Sequence, residues 1–298
     1  MTKADFSFSQ DQTADNQFKD LLLSDKIEQA IEIYTETEDS NYSFWIAQKY
    51  LSLNNVEEAI EWYNISSEKE NLNAKFQLAE LLLHYKIDTV KSFNLFKEIS
   101  IIENTFFSAY SKYYLSIFYR YGIGIDRNTD LAFKYVKEAS NQEFTLAKYE
   151  LIDFYLNGIG TSIDQNKAAG LMFSFADSGF TEAEHDYAIM ILNEIGIRKD
   201  EKTAILWLER AAQKAYPPSL QKLSSMYFYG EGVQKNDSKA YEYYLIAKQL
   251  GISDVELDMN MARIKPIDKE IGAENYSNFR PRMNKNSITY LRIPQFMK

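Results

Sequence analysis

Few side chains in this 298-residue chain can do chemistry. Cysteine is absent and histidine occurs twice, as His84 and His185. A thiolate nucleophile, a disulfide framework and a Cys-ligated zinc site are therefore excluded. A hydrolytic metal centre needs several histidines or carboxylates at helical spacing. Around His185 the stretch HDYA supplies one carboxylate, Asp186, and adjacent residues lie on neighbouring faces of a helix. There is no HExxH, and no Gly-x-Ser-x-Gly elbow to present a serine nucleophile. His185 thus reads as a surface residue and not as a metal ligand. Three Gly-x-Gly turns, Gly122/Gly124, Gly158/Gly160 and Gly230/Gly232, bear a superficial likeness to phosphate loops. Each lacks the third glycine of the dinucleotide fingerprint and follows a helical pattern, not a strand. The acidic groups Glu57/Glu58 and Glu36/Glu38/Asp39 have nothing around them to raise a carboxylate pKa, and read as solvated faces. The expectation is a chain without catalytic residues, cofactor or metal.

The glycine turns belong to something larger. Ala132, Ala168, Ala204 and Ala240 stand 36 residues apart, and three of them have a Gly-x-Gly ten residues upstream. Before Ala204 the corresponding positions are Glu194 and Gly196. A second register runs through Ser111, Ala147, Ala183 and Ser219, with a fifth start at Val255. Four residues after these starts come Leu115, Leu151, Tyr187 and Leu223; four further come Tyr119, Tyr155, Ile191 and Tyr227. Spacing by four puts them on one helical face, which must be buried. The first glycine of each turn suits a left-handed helix cap, and the second keeps the turn tight. Asn128, Asp164, Asp200 and Asn236 then stand where a second helix needs an N-cap. A fixed period in this range predicts stacked helical hairpins.

Composition agrees. Hydrophobic residues make up 45% of the chain, and 22 Tyr and 19 Phe suit helix-on-helix packing, whereas 11 Gly and 5 Pro are too few for a loop-rich β-fold. The net charge of −10 opposes binding to nucleic acid or anionic membranes. From Lys265 onward seven Lys/Arg face three Asp/Glu, which leaves −14 on the residues before it. A basic partner, or that basic segment folding onto the rest, would each balance it; solubility alone is the other reading of the charge. No apolar run has the length of a signal peptide core or a membrane span, so a soluble cytoplasmic protein is expected.

The repeat resembles the Sel-one-like repeat, a relative of the tetratricopeptide repeat. AKYELIDFYLNGIGTSIDQNKAAGLMF from Ala147 and SLQKLSSMYFYGEGVQKNDSKAYEYY from Ser219 follow its pattern closely. A late glycine of that pattern survives as Gly179 and Gly251 and is replaced by Glu143 and Ala215. The likeness covers about residues 105–264. Upstream, KIEQAIEIY, VEEAIEWY and TVKSFNLF read as second helices, and FWIAQKYLSL and AKFQLAELLLHYK as first helices of tetratricopeptide-like hairpins. Three segments are therefore expected. Residues 1–104 would be degenerate tetratricopeptide-like hairpins and 105–264 Sel-one-like repeats with a capping helix. Residues 265–298 would form a basic, Pro-containing tail, partly extended, that is either a flexible end or docks through Tyr290, Leu291, Ile293 and Phe296. The fold class expected is all-α, a right-handed superhelical solenoid of antiparallel helical hairpins.

The resemblance implies that first helices line a concave face. Its ligand-facing positions fall two, six, nine and ten residues after each repeat start. The positions singled out there are Tyr113, Arg120, Tyr121, Tyr149, Asp153, Asn157, His185, Asn193 and Tyr229. Tyr and Arg are common hot-spot types, and Asn157 and Asn193 offer a donor and an acceptor to a peptide backbone. Some of these aromatics would instead pack between repeats. The function implied is a non-enzymatic scaffold or adaptor that binds a protein partner. A bacterial immunity protein that neutralises a toxin by binding it is the alternative, and an enzyme with an unrecognised site a further one.

Overall fold

The computed structural model describes residues 14–103, 105–252 and 254–281. Those residues are helices and short turns, with no strand among them. The chain divides into two compact units, one up to Phe144 and one from Thr145. The boundary expected after residue 104 falls inside the first, between helices that pack on each other.

The first unit holds α1 (residues 14–23), α2 (Ile27–Thr37), α3 (Ser40–Ser52) and α4 (Val56–Glu68). It continues with α5 (Leu72–His84), α6 (Thr89–Ser100), α7 (Phe106–Tyr121) and α8 (Thr129–Asn141). From α2 onward each helix packs on the next, and short loops make neighbours antiparallel. Aromatic pairs fill the seams: Phe18 stacks on Tyr42 at 4.0 Å and Phe96 on Tyr114 at 4.4 Å. Small residues allow close approach where helices cross. Buried Ser92 donates to the Ala79 carbonyl at 2.7 Å, and buried Ser108 to that of Ser100 at 2.8 Å.

The second unit holds α9 (Thr145–Asn157), α10 (Gln165–Asp177), α11 (Thr181–Leu192) and α12 (Glu201–Gln213). After these come α13 (Pro217–Tyr229), α14 (Asp237–Gln249), α15 (Val255–Ala262) and α16 (Pro266–Ser277). Here the 36-residue register is visible as burial. Ala147, Ala183 and Ser219 are fully enclosed, as are the anchors Ala168, Ala204 and Ala240. Second helices begin as expected: Asp164 accepts from the Lys167 N–H at 3.0 Å and Asn236 from the Lys239 N–H at 2.9 Å. Gly230 caps α13 in the left-handed region, at φ +76°. The second glycine does more than tighten its turn. A Cβ on Gly196 would collide with the Gln165 carbonyl oxygen, so this loop lies against the first turn of the preceding second helix.

Two expectations change. Val255 does not continue the buried register: it is 73% exposed at the start of α15. The segment after residue 264 does not begin as an extended tail. Pro266 sits in the first turn of α16, where its missing N–H costs nothing, and α16 packs on α14. Gly272 makes that contact possible, since a Cβ there would come within 2.6 Å of the Ser238 carbonyl oxygen. Tyr290, Leu291, Ile293 and Phe296 lie outside the described residues.

Candidate functional site

In the first unit half of the expected stripe is core. Tyr113 is 2% exposed, held against the rings of Tyr114 and Phe144, and Ile117 is buried as well. Tyr113 is therefore withdrawn as a ligand-facing residue: burying its ring between neighbouring helices outweighs leaving it in water. Arg120 is half-buried with its guanidinium 5.2 Å from the ring centre of Tyr121, and Tyr121 is exposed.

In the second unit the same positions form a linked surface across α9, α11, α13 and α15. Tyr149 on α9 is half-buried; its ring meets Phe175 edge-on at 5.4 Å and its hydroxyl bonds the Asp186 carboxylate on α11. His185 on α11 places Nδ1 2.9 Å from Ser219 Oγ on α13, and its ring meets Tyr216 at 5.4 Å. Gln221 on α13 donates to Asp254, just before α15, at 3.4 Å. The residue two places after each repeat start thus reaches into the next repeat. One turn further along α9, Asn157 donates to Asp153, and Asn157 is exposed. Asn193 caps α11 and is exposed. Tyr229 is exposed too, but its hydroxyl accepts from Asn260 at 2.8 Å, which ties the end of α13 to α15.

His185 is not the surface residue expected. Burial pushes its imidazole down from 6.5 to about 4, so it is neutral at pH 7. Asp186 moves the other way, up to about 6. Burial is the largest cause, the nearby Glu182 charge adds to it, and the Tyr149 hydroxyl opposes it. Tyr216 feels the same two carboxylates, and its phenol is raised by burial and by their charge.

Chemically this arrangement suits binding better than catalysis. Ser219 and His185 are paired like a nucleophile and its base, but the Ser219 hydroxyl is fully enclosed and no substrate can reach it. An imidazole titrating near 4 is also a poor base at neutral pH. Among the described residues no three His, Cys, Asp or Glu are grouped to hold a metal ion. None of the described helices is long and apolar enough to cross a membrane.

Asp186, Glu182, Tyr216 and Ser219 were not singled out as site residues from sequence. One signal was readable: Glu182 and Asp186 are like charges four apart on a helix, an arrangement that is normally unfavourable. The ring of Tyr216 carried no such mark.

The Sel1 repeat model matches residues 51–71, 109–144, 146–180, 181–216 and 217–252. Two of the similar solved structures are as follows. A protective antigen present in uropathogenic Escherichia coli strains, displaying an SLR fold, shares 17% identity at a TM-score of 0.58. That match covers 82% of this chain but 54% of the antigen, so this chain spans about half of its length. A Sel1 repeat protein from Oxalobacter formigenes shares 23% identity at a TM-score of 0.58, covering 78% of this chain and 98% of that one. At these identities the likeness concerns the fold alone. No curated protein matches the sequence at a significant level.

Proposed function

The chain belongs to the Sel1 repeat family, and from that premise we propose that it is a protein-binding scaffold whose first-helix face in the second unit holds a segment of a partner protein. Sel1-repeat proteins generally mediate protein–protein interactions, and the family is typically non-catalytic. The observation that carries the reading is the surface running through Tyr149, Asp153, Asn157, Asn193 and Tyr229. It presents phenols, amides and a carboxylate from α9, α11 and α13 on the helices whose other faces build the core. Tyrosine supplies contact area at low entropic cost, and amides hold an extended backbone. In the first unit Arg120 and Tyr121 offer a second, smaller group of the same kind. No residue here favours toxin neutralisation or catalysis over plain binding.

The test is affinity purification from native cells with the wild-type chain and with Tyr149→Ala/Asn157→Ala. Partners recovered by the wild type should be lost from the double variant while helicity stays unchanged. Equal recovery by both would place the interface elsewhere and end this reading.

A further inference from the structure

The last turns of α14 and α16 and the turn before α13 form a cleft in the second unit. Ala215, Ile246, Leu250, Tyr276, Phe279 and Pro281 line its volume of about 510 Å3. The repeat register shows what this place lacks. One repeat earlier, the Lys214 ammonium donates to the Gly179 carbonyl at 2.9 Å and to Glu184 at 2.8 Å. The equivalent positions 36 residues on are Leu250, Ala215 and Leu220. Leu220 is fully buried, but Leu250 is 45% exposed and has no donor for the Ala215 carbonyl. A buried ion pair has become an apolar pair, and the carbonyl has lost its ammonium.

The helix ends add to this. α14 ends at Gln249 and α16 at Ser277, both in the cleft wall. The last carbonyls of a helix lack intrahelical donors and carry partial negative charge. A guanidinium answers one of these ends, since Arg280 donates to the Ser277 carbonyl at 3.0 Å and to that of Phe279 at 2.8 Å. Among the described residues no acidic side chain lines the cleft. It therefore suits a segment with apolar side chains and a cation.

Such a segment follows directly. Residues 282–298 lie outside the described ones and continue from Pro281 in the cleft wall. They hold Arg282, Lys285, Arg292 and Lys298, no acid, and apolar residues that include Met283, Ile288, Tyr290 and Leu291. A short tether gives a segment an effective concentration of about 1 mM at its site, well above that of a second copy or a separate partner.

We propose that residues 282–298 fold back into this cleft, with apolar side chains on Ile246, Leu250 and Phe279 and one Lys or Arg on the Ala215 carbonyl. The segment supplies to Ala215 the cation that Lys214 supplies to Gly179. None of the first-helix stripe residues lines the cleft, so this inference and the proposed binding function fail independently.

The chain has no cysteine, so one introduced thiol reads one place. Gln249→Cys puts it at the cleft rim and leaves the apolar wall intact. N-Ethylmaleimide should label it about tenfold more slowly in the full chain than in residues 1–281 of unchanged helicity. A synthetic peptide of residues 282–298 added to the shorter chain should slow labelling again. Leu206→Cys on α12, which is exposed and outside the cleft, should react at one rate in both chains. In the full chain Leu250→Lys supplies the missing donor and should bring Gln249→Cys labelling to the fast rate, whereas Leu250→Met should leave it slow. Equal rates in the full and shorter chains overturn the proposal, as does slowing at both thiols alike. Protection that rises with protein concentration would make a second copy the occupant, and protection seen only in cell lysate a partner; either overturns it. Should the shorter chain lose helicity, the full-length pair decides: equal labelling with Leu250→Lys and Leu250→Met overturns the proposal.

Discussion

The carboxylate of Glu184, wholly enclosed on α11, lies 2.8 Å from the ammonium of Lys214, just past the end of α12. The same ammonium donates to the Gly179 carbonyl at 2.9 Å, so one side chain ties the loop before α11 to the end of α12. Arg210, about half exposed, is the second partner of Glu184 and also lies over Trp207 at 4.2 Å. Removing Lys214 leaves a buried charge with one partner. Lys214→Met should therefore cost about 2–4 kcal/mol. Glu184→Leu/Lys214→Met removes both charges and frees Arg210 to turn to water, so it should cost less than the two single changes summed. Chemical denaturation of the four chains checks this; strict additivity would show that the pair is not coupled.

Gly196 and Gly230 both have positive φ, but only one is crowded. A Cβ on Gly230 meets atoms of its own loop no closer than 3.4 Å, whereas on Gly196 it runs into the Gln165 backbone. Gly230→Ala should cost about 1 kcal/mol, the left-handed penalty alone. Gly196→Ala adds overlap with backbone that cannot rotate away, and should cost about 2–5 kcal/mol. Similar melting shifts for the two variants would refute the close approach.

Glu194 stands where the other repeats have their first glycine and still adopts φ +58°. The turn geometry is thus imposed by the repeat and not by the residue. Glu194→Gly should stabilise the chain by about 0.5–1 kcal/mol, with part of the gain returned as unfolded-state entropy. A fall in melting temperature would mean that the Glu194 side chain makes a contact worth more than the strain.

The same point explains what the sequence made legible. Glu143, Ala215, Gly179 and Gly251 occupy one repeat position and all have positive φ, so the period carries the fold even where the motif residue is lost. Hairpins without any glycine turn were readable too, since Ala59 and Phe93 in α4 and α6 hold the anchor position and are buried. The site was less legible for two physical reasons. Register gives which face a residue is on, but not how deep: Tyr113 and Tyr149 hold equivalent places, yet one is enclosed and the other half-open. The partner of Tyr149 is Asp186, one repeat and one residue further on, and a pattern that compares equivalent positions passes over it. The start of α16 was hidden because three prolines within 34 residues suggested a tail, although Pro266 at a helix start is a favourable placement.

Asp186 and His185 are adjacent half-buried groups whose pKa values move in opposite directions, and each contributes to how the stability of the second unit depends on pH. Asp186 titrates near 6 in the fold against 3.8 as the model value, so its ionisation opposes folding. Its contribution is neutral below about pH 3.8 and turns unfavourable as pH rises through 6. His185 titrates near 4 against 6.5, so charging it opposes folding. Its contribution is neutral above about pH 6.5 and turns unfavourable as pH falls through 4. Between about pH 4 and 6 the two slopes largely cancel in the wild type. Each shift corresponds to about 3 kcal/mol at most, less after local relaxation. Asp186→Asn should therefore melt higher than wild type at pH 7.5 and nearly the same at pH 3.5. Relative to wild type, its stability should climb more steeply from pH 4 to 6. His185→Gln should show the opposite difference, little changed at pH 7.5 and more stable than wild type near pH 4. Melting curves across that range decide it. Parallel pH profiles for all three chains would show that these groups are solvated in the folded protein and that the half-buried acid on α11 does not exist.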